Sequence, residues 1–219
     1  MFVVIMAIAV FLCLLLIPML FRKITWNKLN QEIVKDDYKT FYQTLDSFIC
    51  KMGMNAFERE NMRLSGLISQ NRKDDVEEQF QMMMNMRLKD NQKLAVRERG
   101  FYYYLQQGRA KKAKDMLDAV RSLNADRAKD LEIQYSILIK KESKYIKEVQ
   151  EKINHLWDGK SALDEDKMMV VGTFEYLLGL QYSYLNDIEN MKKVFTSALK
   201  HCAGTPYEDS IKQIMEQKA

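Results

Sequence analysis

Few residues in this 219-residue chain are equipped for covalent chemistry: His155, His201, Cys13, Cys50 and Cys202. His201 and Cys202 are adjacent, which invites a nucleophile-and-base reading. Neighbouring residues on a helix point about 100° apart, however, and no third group stands near to orient the imidazole. The pair fits better as a helix end with a basic side chain near its last carbonyls. There is no paired-cysteine motif, no histidine pair at metal-ligand spacing and no phosphate-cradling glycine loop, so neither a metal nor a cofactor is expected. Three cysteines without paired spacing provide no disulfide framework, which favours a reducing compartment. An enzyme remains only as a lower alternative, because no acid, base and nucleophile cluster in recognisable order.

Two further groups are suited to recognition rather than reaction. Met82, Met83, Met84 and Met86 offer adaptable apolar surface, although half of them fall at core spacing. Between Asn85 and Lys129 there are twelve Lys or Arg against five Asp or Glu. Such a run suits an acidic peptide, anionic lipid or RNA, and equally serves as the solvated side of helices. The whole chain carries a formal charge of only +4, well short of a nucleic-acid binder, and nucleic acid is not expected as a partner.

The elements that must position these residues are helices. Two prolines and eight glycines, with abundant Leu, Lys, Glu, Gln and Met, leave little material for a sheet, and the fold class is all-α. From Phe2 to Phe21 twenty residues pass without a charge, fourteen of them Phe, Leu, Ile or Val. As a helix the run would span about 30 Å, one bilayer core, and gain about 4 to 8 kcal/mol on insertion. It lacks the basic start, short apolar core and small cleavage residues of a secretory signal. The expectation is an uncleaved transmembrane anchor over 1–23, with Phe2, Phe11, Leu15 and Phe21 in the span and the lipid bilayer as a partner. Arg22 and Lys23 follow at once and point to a single-pass protein of the cell membrane with its carboxyl-terminal domain, 24–219, cytoplasmic. Trp26 suits a headgroup-level anchor and equally a packing residue of the first soluble helix.

Beyond the leader, apolar residues recur at helical spacing. A helix over about Asn30 to Lys51, bendable near Asp36-Asp37, stops at Met52-Gly53. A pair follows, Asn55 to Gln70 and a partner containing Val76, Phe80 and Met83. Thirty-seven positions on, the arrangement returns in register: Asn71 falls on Gly108, Val76 on Ala113, Phe80 on Leu117, Met83 on Val120 and Leu67 on Tyr104. A looser third pair runs from Ala128 to Trp157 across Lys141-Glu142-Ser143. After a loop at Asp158-Gly159-Lys160-Ser161, Asp164 to Asp166 would cap the first helix of a fourth pair. Thr205-Pro206 starts a last helix, apolar at Ile211, Ile214 and Met215, suited to cap the end.

The fourth pair carries the most specific pattern: Leu178-Gly179, Tyr182, a polar turn at Asn186-Asp187, then Met191, Phe195 and Ala198. In this order the stretch resembles a tetratricopeptide repeat. The resemblance covers about Phe57 to Val120 and Gly172 to Ala203, and implies an α-solenoid of helical hairpins behind the anchor. It also implies a concave binding wall formed by Asn61, Ser65, Glu98, Tyr102, Gln106, Tyr176, Leu180 and Tyr184. The tyrosines offer wide contact area at little entropic loss, and some of these residues pack equally well against the next repeat. The expected function is a membrane-anchored, non-catalytic scaffold for a protein or peptide partner, with no small-molecule substrate. An exported chaperone or envelope-assembly factor on the same fold is the alternative.

Overall fold

The computed structural model describes residues 2–218, with the side chains of 2–5 and 7–18 outside the description. The described residues form twelve helices and no strand: α1 (Phe2–Val34), α2 (Tyr38–Asp46), α3 (Phe48–Gly53), α4 (Ala56–Ser69), α5 (Lys73–Asn85), α6 (Asp90–Gln106), α7 (Ala110–Arg121), α8 (Ala125–Leu138), α9 (Ile146–Leu156), α10 (Glu165–Tyr184), α11 (Ile188–His201) and α12 (Pro206–Gln217). They group into two compact units, 1–96 and 97–219.

One turn geometry recurs in both units. Asp36, Asn71, Gly108 and Asn186 all adopt the left-handed conformation, with φ of 55°, 53°, 66° and 56°. The amide of each turn residue donates three residues back, and the next amide donates five residues back: Asn71 N to Ile68 O at 2.9 Å and Arg72 N to Leu67 O at 3.1 Å, with the same pattern at the other three. These bonds satisfy carbonyls that the helix end would otherwise leave orphaned, as in a Schellman closure. Glycine, asparagine and aspartate reach this conformation most cheaply. The turn also fixes the phase of the helix that follows. Five residues on lie Phe41, Val76, Ala113 and Met191, and nine on lie Leu45, Phe80, Leu117 and Phe195, all essentially inaccessible. Four residues apart, each pair occupies one stripe of its helix and faces the helix before the turn.

Unit 1 holds the hairpins α1–α2 and α4–α5. The helix expected over Asn30 to Lys51, with a bend near Asp36-Asp37, is divided there and again at Ser47. Asp36 ends α1, and Ser47 stops α2 and caps α3, its Oγ accepting from Cys50 N at 3.2 Å. Asn55 and Glu58 form a reciprocal capping box at the start of α4. Leu29, Phe41, Leu45, Cys50, Met54 and Met62 form one buried cluster of the unit. Phe41 packs so closely on α4 that a Cβ at Gly66 would fall 2.6 Å from its ring, so the first hairpin stacks on the second.

The expected transmembrane anchor is not supported: among the described residues no helix is long and apolar enough to cross a membrane. Phe2, Phe11 and Leu15 lie outside the described side chains. The described part of α1 carries Arg22, Lys23, Lys28 and Glu32 and buries Thr25 and Leu29. Arg22 pairs with Glu58 at 2.6 Å, and a Cβ on Gly53 would stand 2.7 Å from the Arg22 backbone nitrogen, so α3 rests directly on α1. Trp26, at 37 % exposure, lies on the same helix.

Unit 2 holds the part of α6 from Arg97 on, paired with α7, and the hairpins α8–α9 and α10–α11, closed by α12. The α8–α9 connection is longer and departs from the common turn, with Lys141 left-handed and Glu142 N donating to Ser136 O at 3.0 Å. Val149 and Ile153 nevertheless supply its two buried positions. In α10–α11 the helices approach so closely that a Cβ on Gly179 would lie 2.2 Å from Phe195 Cε1. Ile211 of α12 is buried, and Ile214 and Met215 pack on the same core.

Replacement of Asn186 by glycine should therefore leave stability near the parent value, whereas Asn186→Val should cost about 1–2 kcal/mol. Urea unfolding of a Trp26→Phe background, followed through Trp157 in the same unit, measures both.

Candidate functional site

The residues anticipated on a binding wall divide into three groups. On α4, Asn61 and Ser65 are half-buried one turn apart, with Ser65 Oγ donating to Asn61 O at 3.2 Å. On α6, Glu98, Tyr102 and Gln106 recur every four residues, and α8 is drawn against them. Arg127 Nε stands 3.3 Å from Glu98 Oε1, and Gln134 Nε2 donates to the Tyr102 hydroxyl at 3.1 Å. Tyr102 is still 41 % exposed and Gln106 is exposed, so this face stays open to solvent with two of its polar groups held in place.

On α10 the outcome differs. Tyr176 is buried, its ring 4.7 Å from that of Tyr207 on α12 and stacked 6.3 Å from Phe195. Leu180 is buried beside it. Tyr184 donates to Ile137 O at 3.0 Å and is half-buried, and burial pushes its phenol up to about 12. These three side chains join neighbouring helices. The long-range docking of α12 and α8 decides this, and spacing within α10 does not reveal it.

A polar network escapes sequence reasoning. Glu175, 4 % exposed, accepts from Ser197 Oγ at 2.7 Å on one carboxylate oxygen, and on the other meets His201 Nδ1 at 2.7 Å. Ser197 and His201 are four apart on α11, so one carboxylate of α10 clamps one face of its partner helix. The Trp157 and His201 rings stand perpendicular with centroids 5.0 Å apart, and Trp157 Nε1 donates to Ser161 O at 2.7 Å. The single signal in the sequence is an acidic residue embedded in the apolar run of α10. Beside the network lies a cavity of about 360 Å³ lined by Asn154, Asp158, Leu178, Lys193 and Val194 among others.

The network resembles a triad in composition and differs from one in order. The carboxylate sits between hydroxyl and imidazole, so Ser197 donates to an acid oxygen and no imidazole nitrogen is placed to take its proton. Cys202 is buried and its thiol is pushed up to about 11, chiefly by desolvation, which keeps it protonated and weakly nucleophilic at neutral pH. The arrangement serves to fix the register of α10 on α11.

A second depression, of about 590 Å³, opens between α8, α9 and α10. Ile133, Leu156, Val170 and Phe174 supply its apolar floor, and charged side chains ring it. Lys152 of α9 bridges to Asp130 of α8 at 2.7 Å, with its ammonium 5.8 Å above the Phe174 ring.

The basic run over 85–129 is compensated in part by its own neighbours. Lys93 pairs with Asp90, Lys114 and Arg121 with Asp118, and Lys129 with Asp126. Of the methionines, Met83 is fully buried while Met82 and Met84 are 39 % and 41 % exposed. No family model, curated protein or solved structure matches the chain.

The loop after α9 yields a pH test. Asp158 Oδ1 accepts from the amides of Lys160 and Ser161 and from Ser161 Oγ, all at 2.8 Å, which holds the carboxyl down at about 2. A depressed acid contributes its bonds above the ordinary value of 3.8 and loses them as pH falls toward 2. In the Trp26→Phe background, Trp157 emission should shift over that window, and Asp158→Ala should show the acid-form spectrum at neutral pH.

Proposed function

We propose that the chain is a tetratricopeptide-like scaffold that binds a protein or peptide partner on its helical hairpins and performs no covalent chemistry on it. The observation that carries this reading is the recurrence of one left-handed turn and one pair of buried positions, five and nine residues on, at Asp36, Asn71, Gly108 and Asn186. A hairpin repeated in register is a building unit of binding surfaces, because each copy fixes its outward side chains relative to the next within a unit. The open face of α6 supports the same reading. Tyr102 presents a large amphipathic ring whose hydroxyl is already oriented by Gln134, and Glu98 is steadied by Arg127. Side chains held in this way lose little freedom on binding, which is how a modest surface gains affinity.

A photo-crosslinking amino acid placed at Tyr102 or Gln106 should yield a discrete protein adduct in extract of the source cells, and one at Lys192 on the exposed side of α11 should yield none. Tyr102→Ala should weaken the captured partner at least tenfold. Adducts that are absent at both α6 positions would overturn the reading.

A further inference from the structure

The depression between α8, α9 and α10 is complementary to one kind of occupant. Its floor of Ile133, Leu156, Val170 and Phe174 is apolar, and its volume is about 590 Å³. From Val171 to Gln181 nearly every apolar residue of α10 is covered, yet Val170 and the adjacent Met169 are 44 % and 60 % exposed. The charges around it do not cancel. Both lysines at the rim are engaged within the fold, Lys129 with Asp126 at 2.8 Å and Lys152 with Asp130 at 2.7 Å. The acids of α9 are not: Glu148 has no ion pair among the described residues, and Glu151 has only Lys147, at 4.0 Å and largely exposed. Glu148, Glu151 and His155, at three- and four-residue steps, share the face of α9 that borders the depression.

We infer that this groove docks a basic amphipathic helix of a partner protein, with the partner's apolar side chains over Val170 and Phe174 and its lysines or arginines against Glu148 and Glu151. The inference rests on the scaffold reading above and adds to it a second surface and the chemistry of its occupant. An acidic segment would meet uncompensated carboxylates at the rim. A polar one would leave the floor wet. A segment both apolar and basic satisfies floor and rim together, since apolar contact supplies affinity and the charge pattern supplies selectivity and encounter rate.

The test titrates the full chain into a fluorescein-labelled fourteen-residue helical peptide with leucines along one face and lysines elsewhere, read by anisotropy. Two companion peptides carry glutamate for every lysine, or serine for every leucine. The lysine–leucine peptide should bind at least tenfold more tightly than either companion. It should lose at least tenfold in affinity to Glu148→Lys/Glu151→Lys and to Val170→Asn, the second being a change at a surface position that leaves the helix intact. Equal binding of the glutamate peptide, or unchanged affinity in both variants, overturns the inference. Should either variant misfold, as seen in its far-ultraviolet dichroism, the three-peptide ranking on the parent chain decides alone. Loss of binding in Tyr102→Ala with none in the groove variants moves the docking to the α6 face and leaves the scaffold reading standing without this groove. A self-associated parent that Val170→Asn converts to monomer in sedimentation velocity overturns it in favour of a second copy of the chain.

Discussion

Each hairpin depends on a single left-handed residue. Once the chain turns through Asp36, Asn71, Gly108 or Asn186, the following amide is committed to a carbonyl five residues back, and the rotation of the next helix is no longer free. At 3.6 residues per turn, positions five and nine on then share the stripe that faces inward. That stripe holds Phe41 and Leu45, Val76 and Phe80, Ala113 and Leu117, and Met191 and Phe195, all buried. Where the turn is different, at Lys141, the buried pair moves to Val149 and Ile153, and the loop lengthens to accommodate it.

Close approach is the second consequence. Helices held in this phase come near enough that a side chain must be missing somewhere, and glycine supplies the gap: Gly66 under Phe41, Gly179 under Phe195, and Gly172 against Cys202 and His201. The Glu175 clamp on Ser197 and His201 adds a polar condition to the same interface, since slippage of α11 by one residue would strand a buried carboxylate. Tight phase, missing Cβ and satisfied buried acid together make α10–α11 the most specified pair in unit 2. Under the scaffold reading we propose, such precision would matter because outward side chains fixed before binding lose little freedom when a partner docks.

The hairpins from Asn55 onward were legible because their turns use residues whose preference is local: Asn71, Gly108 and Asn186 declare themselves. Asp36 was legible only as a bend near Asp36-Asp37 within one helix, since Lys35, Asp37 and Lys39 also suit a helix's outer face; the full stop at Asp36 and the second division at Ser47 were not. The leader misled for a different reason. Hydropathy counts apolar side chains and is blind to a glycine thirty residues away, yet it is Gly53 that lets α3 lie on the backbone of Arg22 and ties α1 to unit 1. Gly53 was legible as a helix stop, and its role in close approach was not. Of the positions carried over from the resemblance, Glu98, Tyr102 and Gln106 are open or half-open, whereas Leu180 is buried and Tyr176 is covered by Tyr207 of a helix that follows it by some thirty positions. Glu175 was overlooked because one acid in an apolar run signals burial with a partner, and its partners lie on another helix.

The claim that turn phase dictates the interface is tested most directly by a double-mutant cycle on Gly179→Ala and Phe195→Leu, followed by urea unfolding through Trp157 with Trp26 replaced by phenylalanine. In an unconstrained helix Gly→Ala stabilises by about 1 kcal/mol. Here it should destabilise, and Phe195→Leu should relieve much of that loss, with a coupling of about 1 kcal/mol or more. A stabilising Gly179→Ala, or two effects that add within about 0.5 kcal/mol, would contradict the account.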